Sequence, residues 1–385
     1  MNPTSRSIWS LAWPQMLAML FLCLIGLSDV WAAGTYILSI YLYTLPAYFL
    51  LISGNAVFRA LRQTRITFWA MLTVAILNLW GNLALGLGYW NFPASGYKGL
   101  AWSTFFSVLC GASLVLYFLN QRGLLKKSLF VFDRWSRTAL PYLLRVAWPM
   151  ALNQVLWYAS FFALFATASA LPHGSVQAMA GMSAGMRIES ILYLPAFALG
   201  LTSSVITGSS LHTLNVHQLR RMAYKIMLLG LGVICLPAAM LWFAAGPLSG
   251  LMTTDAQTAA EAASFLRFSL CAMPFLVVYM TLSGAMAGAG ATIYQLPAMA
   301  GSAWLVRIPL AWHLGHVYLK ESTGIWWAIL ISLIIQALFM FYLFQSRNWP
   351  ACALGSRSKS RTSSQNRRSE FDTGFAEGSG RRQPA

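Results

Sequence analysis

Long apolar runs, broken at intervals by short polar stretches, fill most of the chain up to about residue 346. They lie near 9–33, 37–58, 67–90, 99–120, 140–170, 176–210, 222–249, 263–288, 293–318 and 323–346. A helix needs about 20 mostly apolar residues to cross the hydrocarbon core of a bilayer. A membrane β-barrel would instead alternate apolar and polar residues over segments of about ten. The runs here do not alternate and are rich in Leu and Ala, which argues for helices. The pattern predicts an all-α integral membrane protein of about ten transmembrane helices. The first run is too long for a secretory signal and lacks a clear small-residue cleavage site, so it reads as a retained helix.

Composition agrees with this reading. The chain is 58% hydrophobic and only 9% charged, against roughly 25% charged residues in a soluble protein. The few charges are placed asymmetrically. Arg6, then Arg59, Arg62 and Arg65, then Arg122, Lys126, Lys127, Arg134, Arg137 and Arg145, then Arg220, Arg221 and Lys225 fall on one side of the predicted spans. The other side holds only Lys98 and Lys320, beside Asp255, Glu261 and Glu321. By the positive-inside rule the first set is cytoplasmic. Both termini are then cytoplasmic in a multi-pass protein, expected in a bacterial inner membrane. Residues 347–385 are rich in Ser, Arg and Gly and are expected to be a disordered cytoplasmic tail, able to rest on anionic lipid. The net charge of +17 is thus topology signal plus tail, and no nucleic-acid partner is expected.

No enzyme site is visible. Cys23, Cys110, Cys235, Cys271 and Cys352 are scattered and read as small buried hydrophobes, with neither metal-ligand spacing nor a disulfide framework. There is no phosphate-binding glycine loop, and the five histidines are dispersed. No cofactor is expected beyond a coupling ion, and the sequence fixes no oligomeric state.

An internal repeat is legible. Ala12-Trp13-Pro14 matches Ala147-Trp148-Pro149, a shift of 135 residues. Pro46 and Thr64 match Pro274 and Thr292, a shift of 228. Gly99 falls on Gly324 in the same order. The two shifts differ by about the length of two helices with their loops. A four-helix first repeat and a six-helix second repeat follow, parallel because the shortfall is an even number of spans. Parallel repeats are a transporter architecture. We therefore divide the chain into a first transmembrane lobe (1–121), a cytoplasmic loop (122–138), a second lobe (139–346) and the tail (347–385).

The ordered set "AWPQML…GLSDVWAAG", "ALRQTR", "NLWGNLALGLG…GYKGLAWST", "LRVAWPMALNQ", "GMRIESILYLPAFALG" and "AGAGAT" resembles the bacterial multidrug and toxin extrusion (MATE) transporters. The resemblance covers roughly residues 8–346 and implies two lobes around a central cavity. Two departures stand out. The family's second and third helices are missing, and "TGSSLHT" at 207–213 replaces its usual Gly-Gln motif.

Few polar residues lie inside the runs, and these are the candidates for chemistry. Asp29 is the sharpest, because a carboxylate at a helix centre costs about 2.5–3.5 kcal/mol on insertion scales; the other reading places it at the outer end of its span, in the wet interface. Gln15, Leu22, Gly26, Asp29 and Ala33 share one polar or small stripe, and the resemblance implies a cation-binding acid here. Asn78 and Asn82, four apart, are read either as partners of Asp29 or a coupled cation, or as glue between helices. Glu189 is a second candidate cation carboxylate; it cannot face Arg187, two residues away. Asn153, Gln154 and Arg307 join Gln15 as candidates for a substrate cavity, with Arg307 free to pair with a carboxylate or backbone carbonyls, or to snorkel. Met150, Met179, Met182 and Met186 suit an adaptable cavity wall.

The expectation is secondary active multidrug efflux, with cationic or amphipathic small molecules exchanged for protons or sodium. The alternatives are a lipid-linked oligosaccharide flippase of the same superfamily, or a truncated relative that does not transport.

Overall fold

The structure is a computed structural model that describes residues 35–61, 63–92, 95–124, 134–211 and 213–352. The first apolar run, with Gln15 and Asp29, lies outside the described residues, as does the tail beyond Cys352. Among the described residues all regular structure is helical. The main helices are α1 (Thr35–Ala60), α2 (Thr64–Gly81), α3 (Tyr97–Gln121), α4 (Arg134–Ser169), α5 (Ser175–Ser210), α6 (Val216–Phe243), α7 (Ala245–Met252) and α8 (Ala256–Gly288). A ninth helical path, α9, begins at Gln295–Ala300 and continues through π turns at Gly301–Arg307. It then resumes at Ile308–Trp312 and ends in π turns at His313–Tyr318. The last long helix is α10 (Ser322–Ser346).

Eight of the described helices are long and apolar enough to cross a membrane. Their outward faces behave accordingly. Leu228, Leu229, Val233, Leu236 and Met240 on α6 are each more than half exposed. A water-facing helix would carry polar residues on that side; lipid tolerates these. The one long run read as continuous from 222 to 249 is in fact divided. α6 stops at Phe243 and α7 starts at Ala245. Pro247 explains the break, since its ring would clash with the Phe243 carbonyl four residues back.

The helices gather in two groups. In the first, α1, α2 and α3 close around Leu51, Phe58, Ala70, Val108, Ala112 and Val115. In the second, α4 to α10 share two apolar clusters, one around Leu266, Met273 and Trp326 and the other around Met286, Met299 and Phe344. Helix α1 leans on α5, where the two groups meet.

Small residues set the spacing. A Cβ on Gly284 of α8 would lie 2.1 Å from the Gly200 carbonyl oxygen of α5, and one on Gly288 would lie 2.2 Å from the Ser204 oxygen. The two helices therefore pack backbone against backbone. Lipid tails are as apolar as Leu, so association depends on such close van der Waals contact. In the first group Gly99 does the same against the Leu85 carbonyl, at 2.0 Å. Asp255 starts α8 as its cap, accepting from the Thr258 amide at 2.9 Å. The Thr258 hydroxyl, and then its amide, hold the Asp255 carboxyl below its ordinary range. The cap's contribution is full above that ordinary range and is lost as pH falls below it through the lowered value.

The close contact makes a direct test. Gly284→Ala forces α5 and α8 apart and should cost about 1–3 kcal/mol. Gly232→Ala, where a Cβ meets nothing within 4 Å, should be neutral. Thermal unfolding of detergent-solubilised protein checks both. Equal melting of the two variants would mean that the helices are not held at backbone distance.

Candidate functional site: a divided cavity in the second lobe

One face of α5 is fixed by its packing. Gly181, Gly185, Ile188, Leu192, Ala196, Gly200 and Ser204 are all buried, at spacings of three and four, and Gly181, Gly185 and Gly200 touch α8. One position further round the helix, Glu189 and Tyr193 point into open space. They line a cavity of about 420 Å³. Helix α4 supplies its aromatic wall, with Trp157, Tyr158, Phe161, Phe162 and Phe165 at helical spacing. Helix α8 adds Phe265 and Ser269, α9 adds Arg307, and α10 adds Ile329 and Leu333.

Arg307 is 1% exposed. Its Nε donates to the Ser332 Oγ at 2.8 Å, and that hydroxyl donates to the Ile329 carbonyl at 2.8 Å. The guanidinium lies 5.6 Å from the Trp157 ring centroid, a cation–π contact. Its Nη2 has no acceptor. Glu189 faces it from α5 with Ser269 beside the carboxylate, and the two charges act on each other without closing to an ion pair. Arg307 thus has a carboxylate as its counter-charge, one of the options open from the sequence. Arg187, by contrast, is exposed.

A second cavity, of about 140 Å³, continues toward the Ser210 end of α5. It is lined by Met150, Asn153, Gln154, Tyr279, Ser283 and Gln295, among others. Trp157 and Tyr193 line both cavities, so these two side chains form the waist between them. Asn153, Gln336 and Ser283 surround the Tyr279 hydroxyl. Gln295 Nε2 donates to the Ser283 carbonyl at 2.9 Å. Gln336 is fully buried, yet neither of its amide atoms closes a hydrogen bond. Of the four methionines, Met150 and Met186 line cavities, while Met182 is core and Met179 packs against it.

The first lobe holds Asn78 and Asn82 apart from this site. Asn78 Nδ2 donates to Thr104 Oγ1 at 3.2 Å and to Ser107 Oγ at 3.4 Å. Ser103 Oγ donates to the Asn78 carbonyl at 2.9 Å. Asn82 Nδ2 donates to Asn78 Oδ1 at 3.0 Å. This ladder ties α2 to α3, and it leaves Asn82 Oδ1 buried without a donor. Gln15 and Asp29, the other first-lobe candidates, lie outside the described residues.

Sequence reasoning passed over Tyr193, Ser269, Tyr279, Ser332 and Gln336. Their signal was available for Gln336, a polar amide in the middle of an apolar run. It was absent for the two tyrosines, which nothing in their runs sets apart from the other thirteen in the chain.

Residues 149–313, which include most of this site, match the MatE family. The chain is 24% identical over 313 residues to a protein named "Probable multidrug resistance protein NorM" from Thermotoga maritima, covering 79% of this chain. It is 28% identical over 309 residues to the "FAD transporter" of Shewanella oneidensis, covering 78% of this chain. The chain spans 65% of the length of each of these relatives. Among solved structures it resembles the eukaryotic MATE transporter AtDTX14, with TM-score 0.76, 16% identity, and 92% of this chain and 86% of that one covered. It also resembles an outward-facing MATE family transporter of the MOP superfamily, with TM-score 0.74, 19% identity, and 90% and 79% covered. The fold is therefore that of the MATE transporters, an all-α membrane architecture.

The Ser332 hydroxyl anchors the guanidinium through Nε, so its removal has a defined cost. Ser332→Ala should destabilise the detergent-solubilised protein by at least about 1–3 kcal/mol, the range for stranding an ordinary buried donor, which a charged donor exceeds. Ser113→Ala, at an exposed hydroxyl that bonds only its own helix, should change the melting temperature little.

Proposed function

We propose that this chain, with its MATE fold and MatE domain, is a secondary active exporter. It exchanges small cationic or amphipathic compounds for protons or sodium across a bacterial inner membrane, with its basic loops and both termini in the cytoplasm. The observation that carries this reading is that Glu189 and Arg307 share an aromatic cavity of the second lobe without closing to an ion pair. A carboxylate at membrane depth is expensive and is retained where an ion or substrate passes. Taking up a proton or Na⁺ would neutralise Glu189 and strip Arg307 of its counter-charge. That changes the relative stability of two packings of the lobe, and a ligand moves such an equilibrium only through a difference of this kind.

The names of the NorM-type relatives support export of drugs. The aromatic wall suits them, because ring faces and Met186 can accommodate many flat apolar compounds. Asn153 and Gln154, on the far side of the waist, would meet the substrate on its way between the two cavities. Asp29 stands as the coupling candidate of the first lobe, together with Asn78 and Asn82. A flippase for lipid-linked oligosaccharides would need an excess of positive charge around its anionic lipid. The second-lobe cavity holds one guanidinium balanced by one carboxylate, which favours the exporter.

Reconstituted vesicles test the proposal. With a pH or sodium gradient imposed, wild-type protein should drive movement of a cationic dye. Glu189→Gln should lower the gradient-driven rate at least tenfold while the protein still folds. Asp29→Asn tests the first lobe in the same way. Dye movement that is unchanged in both variants, or absent from the wild type under every gradient, would remove the reading.

A further inference from the structure

We propose that the seam where α6 meets the end of α10 holds the headgroup phosphate of an anionic phospholipid. Arg220, Arg221 and Lys225 supply the cations, and the outer stripe of α6 is the bed for the acyl chains. This goes beyond the exporter reading and rests on it only for the leaflet, which is the cytoplasmic one.

Arg220, Arg221 and Lys225 lie within the first three turns of α6. Arg347, which follows α10, is 127 positions from Arg220, yet Arg220 Nη2 donates to its carbonyl at 3.1 Å. The end of α10 thus brings a fourth cation to the seam. Tyr224, one turn beyond Arg220, fastens the two helices there. Its ring lies 5.5 Å from that of Phe344 and 5.9 Å from that of Phe341.

These four cations have no carboxylate near them. No Asp or Glu occurs at 207–230 or at 334–352. Among the described residues, Asp255 and Glu321 cap the starts of α8 and α10, and the Ser322 hydroxyl donates to Glu261 there. That is the opposite end of α10, and Glu189 lines the cavity between. Two donors at the seam also lack partners. Arg220 Nε is shielded without an acceptor, and so is the Tyr224 hydroxyl. The positive-inside rule accounts for basic residues on this side, but not for two unpaired donors one turn apart. A phosphate satisfies both, because its several oxygens accept charge-assisted bonds and a guanidinium fits it in a fork.

The face below the cations separates a lipid from free phosphate. At helical spacing, Arg221 and Lys225 run on into Leu228, Gly232 and Leu236. Leu228 and Leu236 are more than half exposed. A Cβ on Gly232 would meet nothing within 4 Å, so the stripe has a shallow notch. A cationic head and an apolar bed on one helix face match an amphiphile, whereas soluble phosphate would use only the head. Basic clusters at the membrane surface attract anionic lipid in this way.

Native mass spectrometry of the full chain in neutral detergent tests this with dioleoyl phosphatidylglycerol and dioleoyl phosphatidylcholine. The two share their chains and a phosphate, and only the first carries net charge. The wild type should hold its first phosphatidylglycerol at least about tenfold more tightly than phosphatidylcholine. The triple variant Arg220→Gln, Arg221→Gln, Lys225→Gln should cut that preference below about threefold. Arg220→Lys, Arg221→Lys, Lys225→Arg, which keeps every charge, should retain most of it and guards against misfolding. Arg65→Gln, Arg122→Gln, Arg145→Gln removes three exposed cations from elsewhere on the same predicted side and should leave it intact. Millimolar inorganic phosphate should not displace bound phosphatidylglycerol; displacement would assign the site to free phosphate and overturn the lipid. Equal binding of the two lipids, a preference that survives the first triple variant, or an equal loss in the Arg65, Arg122 and Arg145 variant would also overturn the proposal.

Discussion

The approach of α5 to α8 at backbone distance is the constraint on which the second lobe depends. In lipid there is no hydrophobic gain in bringing two apolar helices together, because the tails are equally apolar. What remains is contact, and contact is closest where Cβ atoms are missing. Gly200 against Gly284, and Ser204 against Gly288, supply it. Once those positions touch, the rotation of α5 has no freedom left. Ile188 and Leu192 face the core, and Glu189 and Tyr193 must face the cavity. A single steric requirement thus aims a carboxylate.

The same lobe then has to hold a cation that cannot neutralise itself. Arg307 sits on the helix whose regular α pitch is interrupted by π turns, a geometry that often marks functional positions. Its environment offers one hydroxyl, one indole face and one distant carboxylate. That is fewer partners than a guanidinium can use, and the shortfall is located where a ligand can reach. The waist of Trp157 and Tyr193 divides this charged, aromatic half from a smaller half rich in amides and hydroxyls. The first lobe uses its polar residues differently. Asn78 and Asn82 are already engaged in the ladder between α2 and α3, so their role in fastening helices is visible directly, and Asn82 Oδ1 is left buried without a donor.

The sequence by itself determined the class of molecule and the positions of the eight long apolar helices among the described residues, because the bilayer imposes length and apolarity on every crossing segment. It also picked out Glu189, Arg307, Asn153 and Gln154, since a polar residue inside such a run stands out against its neighbours. The split of α6 from α7 was within reach too, as Pro247 marks it. Tertiary structure alone decided which polar residues meet. Glu189 and Arg307 are separated by more than a hundred positions, on helices joined by no local signal, and nothing in either run names the other. It alone recruited Tyr193 and Tyr279, whose side chains read as interface aromatics until packing turns them inward. Periodicity reports that a face is buried; which face meets which is settled only by where glycine lets two backbones touch.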